Sequence, residues 1–241
     1  MSSELVTYES QDGVAVITLS RPEKLNAFNP ALALALEAAW KRLAASDDRV
    51  AVLTGAGSKA FTAGADLKDP PLVTGYGYVP NIGVEVDKPI IAAVRGWCIG
   101  VGVVLVQQAD LCVASDTTFF RYPEGRIGVG RGLLGGLAAR IPHKIAVELM
   151  MLGQDVSAER MLQYGFVNSV TPSEDVLPTA MEWARILAEQ DGSVTRYFKQ
   201  SLLAVLPKSP GEVAERTRWI NDQLPGNRSW GGGGATPGAS R

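Results

Sequence analysis

Two short apolar runs, residues 50–53 and 90–94, constrain this chain most. Each is too short for a helix and has no polar face, so each reads as a buried strand. Each then breaks into a glycine-rich stretch, at 54–63 and 96–102, and the second stretch opens a helix ending near Gln108. Upstream, residues 5–9 and 14–19 read as two strands with Gln11-Asp12-Gly13 as the turn between them. Asn29-Pro30 then opens a helix, Asn as cap and Pro at the first position. Leu32, Leu36, Ala39, Trp40 and Leu43 repeat along one face of that helix to about Ala45. Residues 69–87 hold three prolines, three glycines and two tyrosines, which predicts an irregular surface loop. Further on, 111–114 and 118–120 read as short strands, and 133–141, 144–152 and 158–164 as helices. A last strand is expected at 166–170, then helices near 175–189, 193–205 and 210–223. Strand–helix alternation followed by helices makes the fold α/β with an all-helical C-terminal part. Residues 226–241 are rich in glycine and polar residues, a composition expected to stay disordered.

Composition narrows the function. A chain of 241 residues can bury a sizeable core without covalent staples. Its 23 basic and 25 acidic residues give a net charge of −2, without the basic footprint that binds nucleic acid. The longest apolar run, 96–106, falls short of the ~18 residues a membrane span needs. The N-terminus lacks a basic region followed by an apolar stretch, so no secretory signal is expected. Cys98 and Cys112 fit reduced buried thiols in a cytoplasmic protein. With one histidine, His143, and two scattered cysteines, no metal site is expected. His143 follows Pro142 and reads as a capping or surface residue rather than part of a hydrolase triad. Residues 130–135 match G-x-G-x-x-G, with Asp155 beyond them, but that fingerprint needs a strand before it, and 124–128 make a poor strand. No phosphate loop of the G-x-x-x-x-G-K-[ST] type and no G-x-S-x-G elbow occurs.

The two glycine-rich bends carry the chemistry. One is Ala60-Phe61-Thr62-Ala63-Gly64-Ala65-Asp66-Leu67, and the other is Gly96-Trp97-Cys98-Ile99-Gly100-Val101-Gly102. Small residues let a ligand approach backbone N–H groups, and a helix start adds the positive end of a dipole. Two such N–H groups aimed at one carbonyl oxygen would form an oxyanion hole. Either bend alone reads equally as tight backbone packing.

Together with their surroundings, the bends resemble the enoyl-CoA hydratase/isomerase (crotonase) superfamily. The resemblance rests on R-P-E-K-L-N-A-F at 21–28, K-A-F-T-A-G-A-D-L at 59–67, K-P-I-I-A-A-V-R-G at 88–96 and F-R-Y-P-E at 120–124. L-M-M-L-G-Q-D-V-S-A-E-R at 149–160 and G-F-V-N-S-V at 165–170 add to it, and it spans roughly residues 4–190. It implies a crotonase-like spiral of ββα units over 1–190 with a C-terminal helical trimerisation region over 191–225. It further implies a homotrimer or dimer of trimers, no prosthetic group, and coenzyme A as part of a thioester substrate. By position, the N–H donors belong to Ala65 and Val101, and Glu124 matches one of the two glutamates that hydratases use for proton transfer. Coenzyme A is expected along Lys24, Leu25 and Ala27, with Lys24 near phosphate. Ala63, Gly64, Asp66 and Leu67 are expected around the substrate, although Asp66 fits a capping role as well. Tyr76 and Tyr78 are candidates for the acyl pocket and equally for loop anchors.

The chain departs from that pattern at several places. The second glutamate position falls on Val104, which transfers no proton. Gln107 and Gln108, one turn on, could hold a water but are not bases at neutral pH. A single carboxylate can still carry a proton from one carbon to another, which favours isomerase-like chemistry. Hydration, hydrolysis or C–C cleavage with a bound water stay open, as does a non-catalytic acyl-CoA-binding scaffold. Arg126 and Arg131 read as surface charge or, alternatively, as clamps for a polar acyl tail. The segment after Gln223 lacks the charged stretch with which the family often covers coenzyme A.

Overall fold

The computed structural model describes residues 4–71, 76–130 and 133–223. The chain opens with β1 (Val6–Gln11) and β2 (Val14–Leu19), antiparallel across a turn at Asp12-Gly13, where both residues have positive φ. Helix α1 (Pro30–Ala45) starts where the Asn29 side chain accepts from Leu32 N–H at 2.9 Å. Next come β3 (Val50–Gly55), β4 (Ala60–Thr62), β5 (Ile90–Val94), β6 (Trp97–Ile99) and α2 (Val101–Gln108). They are followed by β7 (Leu111–Ser115), β8 (Phe119–Arg121), the short α3 (Glu124–Ile127), α4 (His143–Val147), β9 (Val156–Ser157) and α5 (Ala158–Gln163). The chain closes with β10 (Ser169–Thr171), α6 (Val176–Glu189), α7 (Gly192–Val205) and α8 (Pro210–Gln223).

Three consecutive units set the architecture. β3, β5 and β7 each lie in a six-stranded sheet of order β1-β2-β3-β5-β7-β10. Each hands the chain to its successor, β4, β6 or β8, in a second sheet of order β4-β6-β8-β9. The β3–β5–β7 and β4–β6–β8 pairings are all parallel, so the chain winds between two sheets in the same sense. Period-two alternation divides the larger sheet's side chains. Val50, Val52, Ile91, Ala93 and Val113 pack on Val176, Ala180 and Ala184 of α6, while Ala51, Leu53, Ala92 and Val94 face the main core between the sheets and α1.

The structure corrects several expectations. The glycine-rich stretches each contain a strand, β4 and β6, too short to show period-two alternation. From Tyr78 to Val86 the 69–87 segment is not a surface loop: Tyr78, Val79, Ile82, Val84 and Val86 are core residues, and Tyr78 C=O accepts from Trp40 Nε1 at 2.8 Å. The expected strand at 166–170 begins only at Ser169, because Phe166 turns in to meet Phe120 edge-on with ring centroids 5.6 Å apart. The 133–141 helix is a 3₁₀ turn over Gly135–Ala139, and 144–152 divides into α4 and a π-turn over Glu148–Leu152. The tail expected to be disordered at 226–241 lies outside the described residues, and so does Arg131.

Candidate active site

The first bend is held by a residue that sequence reasoning passed over. Asn26 is fully buried with φ +54. Its amide donates to Ala56 and Ala60 C=O at 2.9 and 3.0 Å and accepts from Arg21 N–H at 2.9 Å. Thr62 Oγ1 donates to Asn26 C=O at 2.7 Å, and Ala63 N–H donates to Leu25 C=O at 2.9 Å. Past β4 the chain runs parallel to Phe28: Phe28 N–H donates to Gly64 C=O, and Asp66 N–H donates to Phe28 C=O, both at 2.8 Å. Successive peptide groups in extended chain point to opposite sides. Ala65 N–H therefore faces away from Phe28, and it has no hydrogen-bond partner among the described residues.

The second bend arrives from β6. Gly100 takes φ +56 and starts α2, and its N–H donates to Arg121 C=O at 2.9 Å. Val101 is the first helical residue, so its N–H has no partner within the helix. The two bends meet backbone to backbone. A Cβ on Gly64 would lie 3.1 Å from Ile99 C=O, and one on Gly100 would lie 3.7 Å from Gly64 Cα. That same Gly100 position is 2.9 Å from Glu124 Oε1, so the carboxyl rests against the second bend. Glu124 Oε2 is buried and has no hydrogen-bond partner among the described residues. Burial raises the Glu124 carboxyl from the ordinary 4.5 to about 7, opposed only by its own main-chain N–H.

A cavity of about 290 Å³ lies over these groups. Of the residues expected at the site, Ala63, Gly64, Ala65, Leu67, Tyr76, Tyr78, Val101, Val104 and Glu124 line it. Tyr78 is only 2% exposed and stacks on Phe28 with centroids 5.1 Å apart. Two candidates take their structural rather than their substrate-facing reading. Asp66 points away from the cavity to Arg21 at 2.8 Å, and the guanidinium holds its carboxyl below the usual range. Arg126 is exposed and donates to Leu152 C=O at 3.1 Å, a better partner for its fork than the apolar cavity wall. Lys24, Leu25 and Ala27 do not line the cavity. They form the turn that Ala63 N–H grips, and Leu25 takes φ +52 there. Gln107 and Gln108 face the other way: Gln108 Nε2 donates to Glu212 at 2.8 Å, and Gln107 Nε2 to Leu133 C=O at 3.2 Å.

Ile99 and Gly100 line it from the second bend, and other lining residues were not foreseen, among them Tyr122, Ile127, Val129 and Leu133. Tyr122 was legible in principle, since counting by two from the buried Phe120 puts it on the inward face. Ile127, Val129 and Leu133 were not, because they lie on short turns without period. The G-x-G-x-x-G at 130–135, of which residues 131 and 132 lie outside the described residues, follows the four-residue α3 rather than the strand a dinucleotide fingerprint needs. His143 is the exposed first residue of α4, and Cys98 and Cys112 are free thiols that burial pushes up. No helix of the described residues is long and apolar enough to cross a membrane.

The model of the enoyl-CoA hydratase/isomerase family matches residues 9–72 and 81–218. The chain is 34% identical over 216 residues to an (E)-benzylidenesuccinyl-CoA hydratase of Thauera aromatica, covering 84% of this chain and 83% of that protein. A carnitinyl-CoA hydratase from Mycobacterium avium superposes with a TM-score of 0.80 at 28% identity, over 92% of this chain and 89% of the other. A carnitinyl-CoA dehydratase from Mycobacterium avium 104 gives a TM-score of 0.78 at 31% identity, over 90% and 87%. Matched along most of its length and with two glycine bends packed on each other, the second of them against a buried carboxyl, this chain belongs to the enoyl-CoA hydratase/isomerase family.

Proposed function

We propose that the chain adds water reversibly across the Cα=Cβ bond of an enoyl-CoA thioester, with Glu124 as its only proton-transfer residue. The thioester oxygen lies between the N–H groups of Ala65 and Val101. As the water oxygen bonds to Cβ, Glu124 takes one of its protons. The π electrons move to the thioester oxygen as an enolate, where each aimed N–H contributes on the order of 3 kcal/mol to the transition state. Protonated Glu124 then returns a proton to Cα. The observation that carries this reading is the buried Glu124 carboxyl against the bend that begins α2, raised to about 7, where one group can serve as base and then acid. The names of the hydratase relatives favour hydration among the reactions that share an enolate.

Val104 supports a second reading. With no other carboxylate at that place, Glu124 would move a proton from Cα to Cγ of a 3-enoyl thioester, which is isomerisation. Coenzyme A would run along the turn of Lys24, Leu25 and Ala27, beside the first bend. Val194, Tyr197, Phe198, Leu202 and Val205 lie exposed on α7, which supports the expected homotrimer or dimer of trimers; sedimentation of the purified chain reads the stoichiometry.

A panel of 2- and 3-enoyl-CoAs in deuterated water separates the readings. Gain of one water with deuterium at Cα is the expected result. Double-bond migration without added water would replace hydration by isomerisation. Thioester binding with no turnover at all would leave a non-catalytic acyl-CoA scaffold.

A further inference from the structure

Addition of water to Cβ asks for more than a base. The water must be held so that a lone pair, and not a proton, faces the carbon. Glu124 fixes one of its two hydrogens, and a second hydrogen-bonding group is needed for the other. Among the described lining residues there is no other carboxylate and no histidine. The hydroxyls on that lining belong to Tyr76, Tyr78 and Tyr122, and Tyr122 is the one that shares a chain segment with Glu124. It follows β8 two residues before Glu124, and the pair are separated only by Pro123, which precedes α3. The residue is 8% exposed, packs in the main core and lines the cavity together with Glu124 and Val104. Its hydroxyl is not one of the buried unpartnered atoms among the described residues, so this core residue keeps its polar end available on the cavity it lines.

We infer that the Tyr122 hydroxyl is the second anchor of the reacting oxygen, holding the water that adds to Cβ and the hydroxyl that leaves it in reverse. The inference rests on the hydration reading. In the forward step the water gives one proton to Glu124 and donates its other hydrogen to Tyr122 Oη while its oxygen bonds to Cβ. The phenol neither gains nor loses a proton, so Glu124 alone balances the step. Burial and the nearby Glu124 charge both push the phenol up, which keeps it neutral throughout. The group is thereby confined to orienting oxygen, and enolate formation at Cα does not need it.

The test is Tyr122→Phe, which removes one oxygen and keeps the ring in the core. Hydration of the best 2-enoyl-CoA of the panel is followed alongside exchange of the Cα proton of the matching saturated acyl-CoA into deuterated water. The expected result is a loss of about tenfold or more in kcat for hydration, with KM and the Cα exchange rate within about twofold of the unsubstituted chain. Tyr122→Leu serves as the structural control. A merely packing role would leave hydration by Tyr122→Phe near normal, or would lower hydration and exchange together, and either outcome overturns the inference while hydration by the unsubstituted chain stands. If the unsubstituted chain exchanges Cα protons but hydrates nothing, the hydration reading falls and takes this inference with it.

Discussion

Glu124 is where a residue's surroundings decide its chemistry. An exposed glutamate titrates far below neutrality and is a weak base at pH 7. Here burial without a cationic partner raises the carboxyl to about 7. Glu124→Gln keeps the shape and removes the proposed proton transfer, so turnover is expected to fall at least about 100-fold while thioester binding persists. Steady-state kinetics with a separate binding titration checks both halves. The same shift has a stability sign. Between 4.5 and about 7 the folded state holds a proton that the unfolded chain has lost. Stability is therefore greatest below 4.5 on this account and is lost as pH rises through about 7. Urea unfolding over that window is expected to show this fall in the unsubstituted chain and to lack its Glu124 part in Glu124→Gln. Asn26 shows the converse limit of residue-level reading: its position in L-N-A-F marks the family, but its work in fastening three backbone segments appears only in the fold.

At the scale of elements, α1 was readable because its signals are local. Asn29 caps, Pro30 starts, and the apolar repeat runs to Ala45, as observed. β2 and β5 were equally plain, with their observed bounds matching the apolar runs. β4 and β6 were not, since three residues carry no periodicity and their pairing is supplied by distant strands. The start of α2 joins element to site. Gly100 has both a positive φ and a space that Glu124 fills. Gly100→Ala would meet Oε1 at 2.9 Å and strain the backbone, at a cost on the order of 1–2 kcal/mol. Turnover is expected to fall about tenfold or more through the displaced carboxyl, and Glu124 should titrate at a changed pH in the kinetic profile.

At the scale of the whole molecule, the last two helices are tied to the spiral by buried polar groups. Lys199 of α7 donates to Lys88 C=O at 2.7 Å and to Asp110 at 2.8 Å. Glu212 of α8 accepts from Gln108 Nε2 at 2.8 Å and from Ser209 N–H at 2.7 Å. Gln107 Nε2 donates to Leu133 C=O, so the network reaches the cavity wall from the helix that carries Val101 and Val104. Glu212→Ala removes an acceptor that buried donors need. It is expected to lower stability by about 2–3 kcal/mol, read by urea unfolding at constant pH. The glutamines read from sequence as water holders are thus packing links between α2 and α8.

By itself the sequence determined what is local or tied to a motif. That covers the α/β class, the capped helix, the apolar strands and the family, and it singled out Ala65, Val101 and Glu124 as the candidates proposed here. Only tertiary structure decided which of these meet, and in what medium. It turned Asp66 and Arg126 out of the cavity, brought Tyr122 in beside Glu124, and buried the 78–86 segment in the core. The physical reason is range. Caps, turns and apolar repeats act between neighbours in sequence, whereas desolvation, a shifted carboxyl and the shape of a cavity arise from groups that only folding brings together.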